Sequence, residues 1–165
     1  MGSFSQHNIQ RMYQVWARTY EWLTPLYLLG NEGRLRRKVI RAMNLEPGQT
    51  VIDIACGTRR NFPWILNKIG PAGTLVGVDY TPAMLERARE RVSHEGWENV
   101  HLVQGNAARI SIDQQFDAAL CTLAMSVIPD YWSALKVMVN HVRHGGRVAI
   151  AESKLSTNWY VGFFN

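Results

Sequence analysis

The chain has 165 residues, of which 47% are apolar and 19% charged, and a formal net charge of +5. That length suits one domain with a real core rather than two, and that balance excludes a disordered or fibrous chain. Its apolar runs fall far short of the roughly 20 residues of a membrane span, and its opening lacks the cationic and apolar pattern of a secretory leader.

Two cysteines, Cys56 and Cys121, make neither a disulfide framework nor a metal quartet. They fit a reducing cytoplasm. The positive charge is spread out except for "RLRRK" at Arg34 to Lys38. Without zinc-finger spacing, an RRM box or a helix-turn-helix pattern, this excess predicts no nucleic-acid partner.

Residues 7 to 29 place Ile9, Met12, Tyr13, Trp16, Tyr20 and Leu23 on one helical stripe, bent or ended by Pro25. Such a stripe is a core face or a contact with a lipid surface. "GNEG" at Gly30 to Gly33 breaks the pattern, and Leu35, Val39, Ile40 and Met43 predict a second amphipathic helix closed by "EPGQT". From there short β-rich runs alternate with helices. Strands are expected at 50–55, 75–79, 100–104, 116–121 and 147–152, and helices at 63–68, 82–94 and 131–143. Thr81-Pro82 reads as a helix start, and His144-Gly145-Gly146 as a helix stop. Several strands are apolar throughout, as in a parallel sheet covered on both faces. The pattern predicts an open α/β sheet, with residues 1–46 forming a helical lid, 47–155 the α/β domain and 156–165 a tail.

Ligands of such sheets bind beyond the carboxyl ends of the strands, where the strand order reverses. Asp79 ends the second strand about 20 residues after a glycine turn, the spacing at which a carboxylate accepts from both hydroxyls of a ribose. The turn itself, "DIACGTRRNF", lacks the G-x-G-x-x-G of a pyrophosphate site, which argues against a nucleotide-dependent oxidoreductase. Asp53 just before it would repel a phosphate. A zwitterionic or cationic ligand fits better, with Asp53 orienting the loop or reaching an ammonium group through water.

"VIDIACGT", "VGVDYTPAMLERARE", "VQGNAARI", "FDAALCTLAMSVIPD" and "HGGRVAIAESK" occur in this order. Together they resemble the class I S-adenosylmethionine-dependent methyltransferases, and most the ubiquinone/menaquinone-biosynthesis C-methyltransferases and related phosphatidylethanolamine N-methyltransferases. The resemblance covers roughly residues 45 to 155. It implies a Rossmann-like parallel sheet ordered 3-2-1-4-5 and S-adenosylmethionine as cofactor. The acceptor would be a small molecule or lipid, either an amine head group or a quinone precursor. By the same resemblance Ala55, Cys56, Gly57 and Thr58 would pass under the methionine part, and Asp79, beside Tyr80, would hold the ribose. Met84 would pack on adenine, Asn106 would accept from its amino group, and the Ala107 N–H would face the ring. Thr122 closes the fourth strand, and Tyr20 would cover the cofactor from the first helix. No catalytic base is legible.

Three features depart from the family. Asn106 stands where Asp is commoner, though its carbonyl still accepts. Arg59 stands where glycine is usual, so it would salt-bridge the methionine carboxylate, swing out, or fill the pocket. A pocket so filled would leave a degenerate module that binds or assembles without cofactor. Finally, the last two of seven family strands are unaccounted for. The expectation is a fragment, or a fifth strand left open until a second copy covers it through "NWYVGFFN", Asn158 to Asn165. His141 and His144 are expected to serve a helix end rather than act as bases, and both thiols to be buried.

Overall fold

The computed structural model of the chain describes residues 32–152 and the backbone of 160–164. The expected first helix, with Trp16 and Tyr20, lies outside the described residues. From Glu32 onward helices and strands alternate in the expected way: α1 (Glu32–Ala42), β1 (Thr50–Ile54), α2 (Phe62–Ile69), β2 (Thr74–Asp79), α3 (Pro82–Glu95), β3 (Val100–Gln104), β4 (Phe116–Thr122), α4 (Tyr131–Asn140), β5 (Val142–Glu152) and β6 (Tyr160–Phe164). A single 3-10 turn, Met125–Val127, separates β4 from α4.

The sheet runs β3-β2-β1-β4-β5-β6. Its first five strands are parallel, in the expected order 3-2-1-4-5. Because successive strand residues point to opposite faces, each strand feeds two cores. Val51, Leu75 and Leu120 meet Leu35, Val39 and Ile40 of α1 and Phe62, Ile65 and Ile69 of α2. Ile52, Ile54, Val76 and Val78 meet Ala134 and Met138 of α4 on the other side. Packing over β2 depends on Gly77, where an added Cβ would lie 2.6 Å from Cζ of Phe62 and 3.1 Å from Sγ of Cys56.

Two expectations are corrected at the end of the chain. The helix expected to reach residue 143 ends at Asn140, and the glycine pair serves a strand instead of a helix stop. β5 opposes Phe116 with Val142 and then Ala118 with Arg147, so residues 143–146 form a bulge. At Gly146 a Cβ would lie 2.6 Å from the carbonyl oxygen of Asp117, and Gly145 has φ +79°. Glycine is what both positions need. The second correction concerns β5, which is not an open edge. β6 pairs with it antiparallel, from Val148↔Phe164 to Glu152↔Tyr160, so the apolar tail covers that edge within the same chain.

The helix-end reading holds for His141 but not for His144, which lies exposed within β5. His141 caps α4, and Nε2 accepts from the Ile112 N–H at 3.1 Å. That leaves Nδ1 to donate to the Val137 carbonyl at 2.8 Å. A ring tied at both nitrogens is a structural tie, not a base.

Candidate functional site

Beyond the carboxyl ends of β1, β2 and β4 lies an open cleft whose space, open solvent included, is about 920 Å³. The turn after β1 forms its floor. Ala55, Gly57 and Arg59 all have left-handed backbones, with φ of +54°, +57° and +78°. Two of these are not glycine, so the turn carries strain that its hydrogen bonds must hold. The Cys56 N–H donates to the Val78 carbonyl at 2.9 Å, the Arg59 N–H to the Cys56 carbonyl at 3.1 Å, and the Gly57 N–H to Oδ2 of Asp79 at 2.8 Å.

Asp79 is thus fixed from two sides, since its Oδ1 accepts from the Thr81 N–H at 2.8 Å. Burial pushes its carboxyl above the ordinary value, against the pull of the Thr81 and Gly57 N–H groups. The Thr81 hydroxyl and the Tyr80 N–H also favour the charged carboxylate, so the group is held in place as a hydrogen-bond acceptor at the strand end. Nothing lies within 4 Å of where a Cβ on Gly57 would sit. Next to it the Thr58 hydroxyl is buried in the cleft wall and has no hydrogen-bond partner among the described residues. A buried hydroxyl without a partner is costly unless a ligand supplies one.

Ten expected site residues line this cleft together: Ala55, Cys56, Gly57, Thr58, Asp79, Tyr80, Met84, Asn106, Ala107 and Thr122. Asn106 uses its Oδ1 to accept from the Ala108 N–H at 2.9 Å, which fixes the turn after β3. Tyr20 lies outside the described residues. Cys56 and Cys121 are buried free thiols, both pushed well above the usual thiol range by desolvation.

Asp53 does not line the cleft, so of its two expected roles its position suits orienting the loop and not direct contact with the ligand. It lies wholly buried beneath the floor, where the Asn61 amide donates to both of its oxygens at 3.0 and 2.9 Å. Burial pushes its pKa up to about 7, with the Asn61 hydrogen bond and the Arg36 charge pulling down and Asp79 pushing up. Arg59 also does not line the cleft, so the turn holds an arginine without filling the pocket.

Arg36 and Arg60 line the cleft instead, and sequence reasoning missed both. Nε and Nη2 of Arg36 donate to Oε1 of the buried Glu32 at 2.8 and 2.6 Å. Its Nη1 donates to Oδ1 of Asn61 at 2.9 Å and to the Thr122 hydroxyl. Arg60 reaches the other oxygen of Glu32 at 2.8 Å. One polar layer, Glu32–Arg36–Asn61–Asp53, joins α1, α2, β1 and β4 under the cleft.

The donor set fits an adenosyl amino acid. Asp79 suits a ribose, Met84 and Ala107 give an apolar wall for a base, and the Thr58 hydroxyl stands free for a polar group. A strand-end carboxylate beside a one-glycine turn, at the switch point of a 3-2-1-4-5 sheet, is the arrangement that the resemblance to S-adenosylmethionine-dependent methyltransferases implies. The model of the ubiE/COQ5 methyltransferase family matches residues 1–163. The chain belongs to that family.

It is 27% identical over 164 residues to the demethylmenaquinone methyltransferase of Bacillus cytotoxicus, covering 99% of this chain and 68% of that protein. To the Geobacillus stearothermophilus protein of the same name it is 26% identical over 158 residues, covering 95% and 68%. The chain thus spans about two thirds of the length of these relatives. Among solved structures, the Aquifex aeolicus SAM-dependent methyltransferase shares the fold with a TM-score of 0.68 at 21% identity, over 74% of this chain and 66% of that one. A Thiobacillus denitrificans SAM-dependent methyltransferase, solved with S-adenosyl-L-homocysteine, shares it with a TM-score of 0.61 at 22% identity, over 76% and 51%.

Proposed function

We propose that the chain methylates a ring carbon of a demethylated quinol, as the names of its relatives suggest. The observation that carries this reading over an amine acceptor is the charge in the cleft. Among the described residues its charged lining is Asp79, already engaged by two backbone N–H groups, with Arg36 and Arg60. Glu32 pairs with both guanidiniums and offsets one of their charges, so this side of the cleft keeps a single positive excess, which disfavours an ammonium head group and favours a phenolate, whose ring carbon is the nucleophile in a C-methylation. Val127, Ile128 and Pro129 give the same cleft an apolar side for a ring and its chain. Bound S-adenosylmethionine supplies an activated methyl group, so the protein's work is alignment and exclusion of water.

Calorimetry with S-adenosylhomocysteine, followed by transfer of labelled methyl to demethylated menaquinol or phosphatidylethanolamine, tests the reading. The expected result is binding, at least about tenfold weaker in Asp79→Asn, and label in the quinol alone. Label in the amine lipid would overturn the acceptor. Binding untouched by Asp79→Asn would overturn the ribose assignment.

A further inference from the structure

The outer face of α1 carries Arg34, Arg37, Lys38 and Arg41 at positions i, i+3, i+4 and i+7. That spacing puts all four on one stripe, away from the buried Leu35 and Val39. All four are exposed, and together they line one open surface depression. Among the described residues none of the four pairs with a carboxylate.

A merely solvated charged face looks different in this same molecule. On α3 the exposed arginines sit one turn from acids and pair with them, as Arg87–Glu90 at 3.0 Å, Arg89–Glu86 at 3.4 Å and Arg91–Glu95 at 2.5 Å. On α1, Arg34–Lys38 and Arg37–Arg41 are like-charge pairs one turn apart, which work against the helix that holds them. Such a stripe calls for an anion from outside.

Beside it stands Trp64 of α2, 39% exposed, with the Arg37 guanidinium 5.1 Å from its ring centroid. Lys68, one turn on, is exposed as well. An indole among cations is the composition of a protein face that settles at the head-group level of a bilayer.

We infer that the α1–α2 face docks on an anionic phospholipid bilayer. The cations neutralise head groups, and Trp64 enters the boundary beside them. The inner side of α1 carries Arg36 into the cleft, so docking sets the cleft wall next to the lipid. Bilayer docking stands without the proposed acceptor, and a quinol dissolved in the membrane would then be close at hand.

Sedimentation of the full chain with phosphatidylcholine vesicles, with and without phosphatidylglycerol, tests this. Each cation at an anionic surface contributes roughly fivefold in partitioning. The variant carrying Arg34→Gln, Lys38→Gln and Arg41→Gln should therefore lose at least about tenfold, while its S-adenosylhomocysteine affinity reports an intact fold. Wild-type binding should fall as salt rises, and Trp64→Ala should weaken it further. Equal binding to both vesicle types, or a triple variant that binds like wild type, overturns the inference. So does a duplex oligonucleotide that displaces the chain from vesicles. None of these readouts needs methyl transfer, so a chain that docks without methylating quinol overturns the acceptor alone.

Discussion

Asp53→Asn probes the polar layer beneath the cleft. Wholly buried, Asp53 has its pKa raised from 3.8 to about 7, chiefly because burial penalises the carboxylate. A folded pKa above the unfolded one means that the native state holds the proton more tightly between those values. Asp53 therefore contributes stability that is full at low pH and is lost as pH rises through about 4 toward 7. Roughly three pKa units at about 1.4 kcal/mol each set the loss at no more than about 4 kcal/mol. Asparagine keeps an oxygen for the Asn61 amide and cannot ionise. Urea unfolding of both proteins between about pH 5 and about pH 8 should show wild type losing roughly 2–3 kcal/mol and the variant much less. The variant keeps some slope, because Asp79 is shifted in the same direction by its own burial. Parallel curves would refute the reasoning, since Asp53 would then already be ionised, or already protonated, across the whole range.

Thr58→Val removes the buried hydroxyl that has no partner; stability should stay within about 1 kcal/mol or improve, while S-adenosylhomocysteine binding weakens severalfold in calorimetry. Unchanged affinity would mean that the hydroxyl does not reach the ligand. Arg59→Gly should leave that affinity within about threefold, because Arg59 is not part of the cleft lining. A tenfold tightening would restore the idea of an obstructed pocket. Gly77→Ala should lower the urea midpoint by the equivalent of about 1–3 kcal/mol, since its methyl group meets the Phe62 ring; an unchanged midpoint would show that the ring yields freely.

Strands and helices are legible from Thr50 to Ala134 because local signals and tertiary roles agree there. Thr81-Pro82 starts α3, and the apolar runs become strands buried on both faces. The disagreement at 143–146 has a local cause. A His-Gly-Gly run after an amphipathic segment suits a helix end and a β-bulge equally, and only the approach of the Asp117 carbonyl to Gly146 decides for the bulge. For the tail, high β-propensity announces a strand without naming its neighbour. Pairing partners lie far apart in sequence, and Val148↔Phe164 is written in no short motif.

The site divides along the same line. Residues that touch the cleft from strand ends, Asp79 and the 55–58 turn, are readable because strand ends and turn glycines mark their own place. Asp53 lies in a different layer from the one its position suggests, although it sits only two residues before Ala55. Alternation along β1 sets where each side chain goes, but Asn61, which engages Asp53, comes from the start of the next helix. Arg36 is hidden inside a basic run whose other members are exposed. Yet its phase gives a signal: three and four residues before Val39 and Ile40, it falls on the buried face of α1. A guanidinium on a buried face needs partners, since an unpaired one would cost several kcal/mol. Glu32 at i−4 is the first to look for, and Asn61 and Thr122, 25 and 86 residues away, complete the set. The same helix thus turns one cation inward to the cleft and four outward. Helical phase, rather than the charge count, separates the two roles.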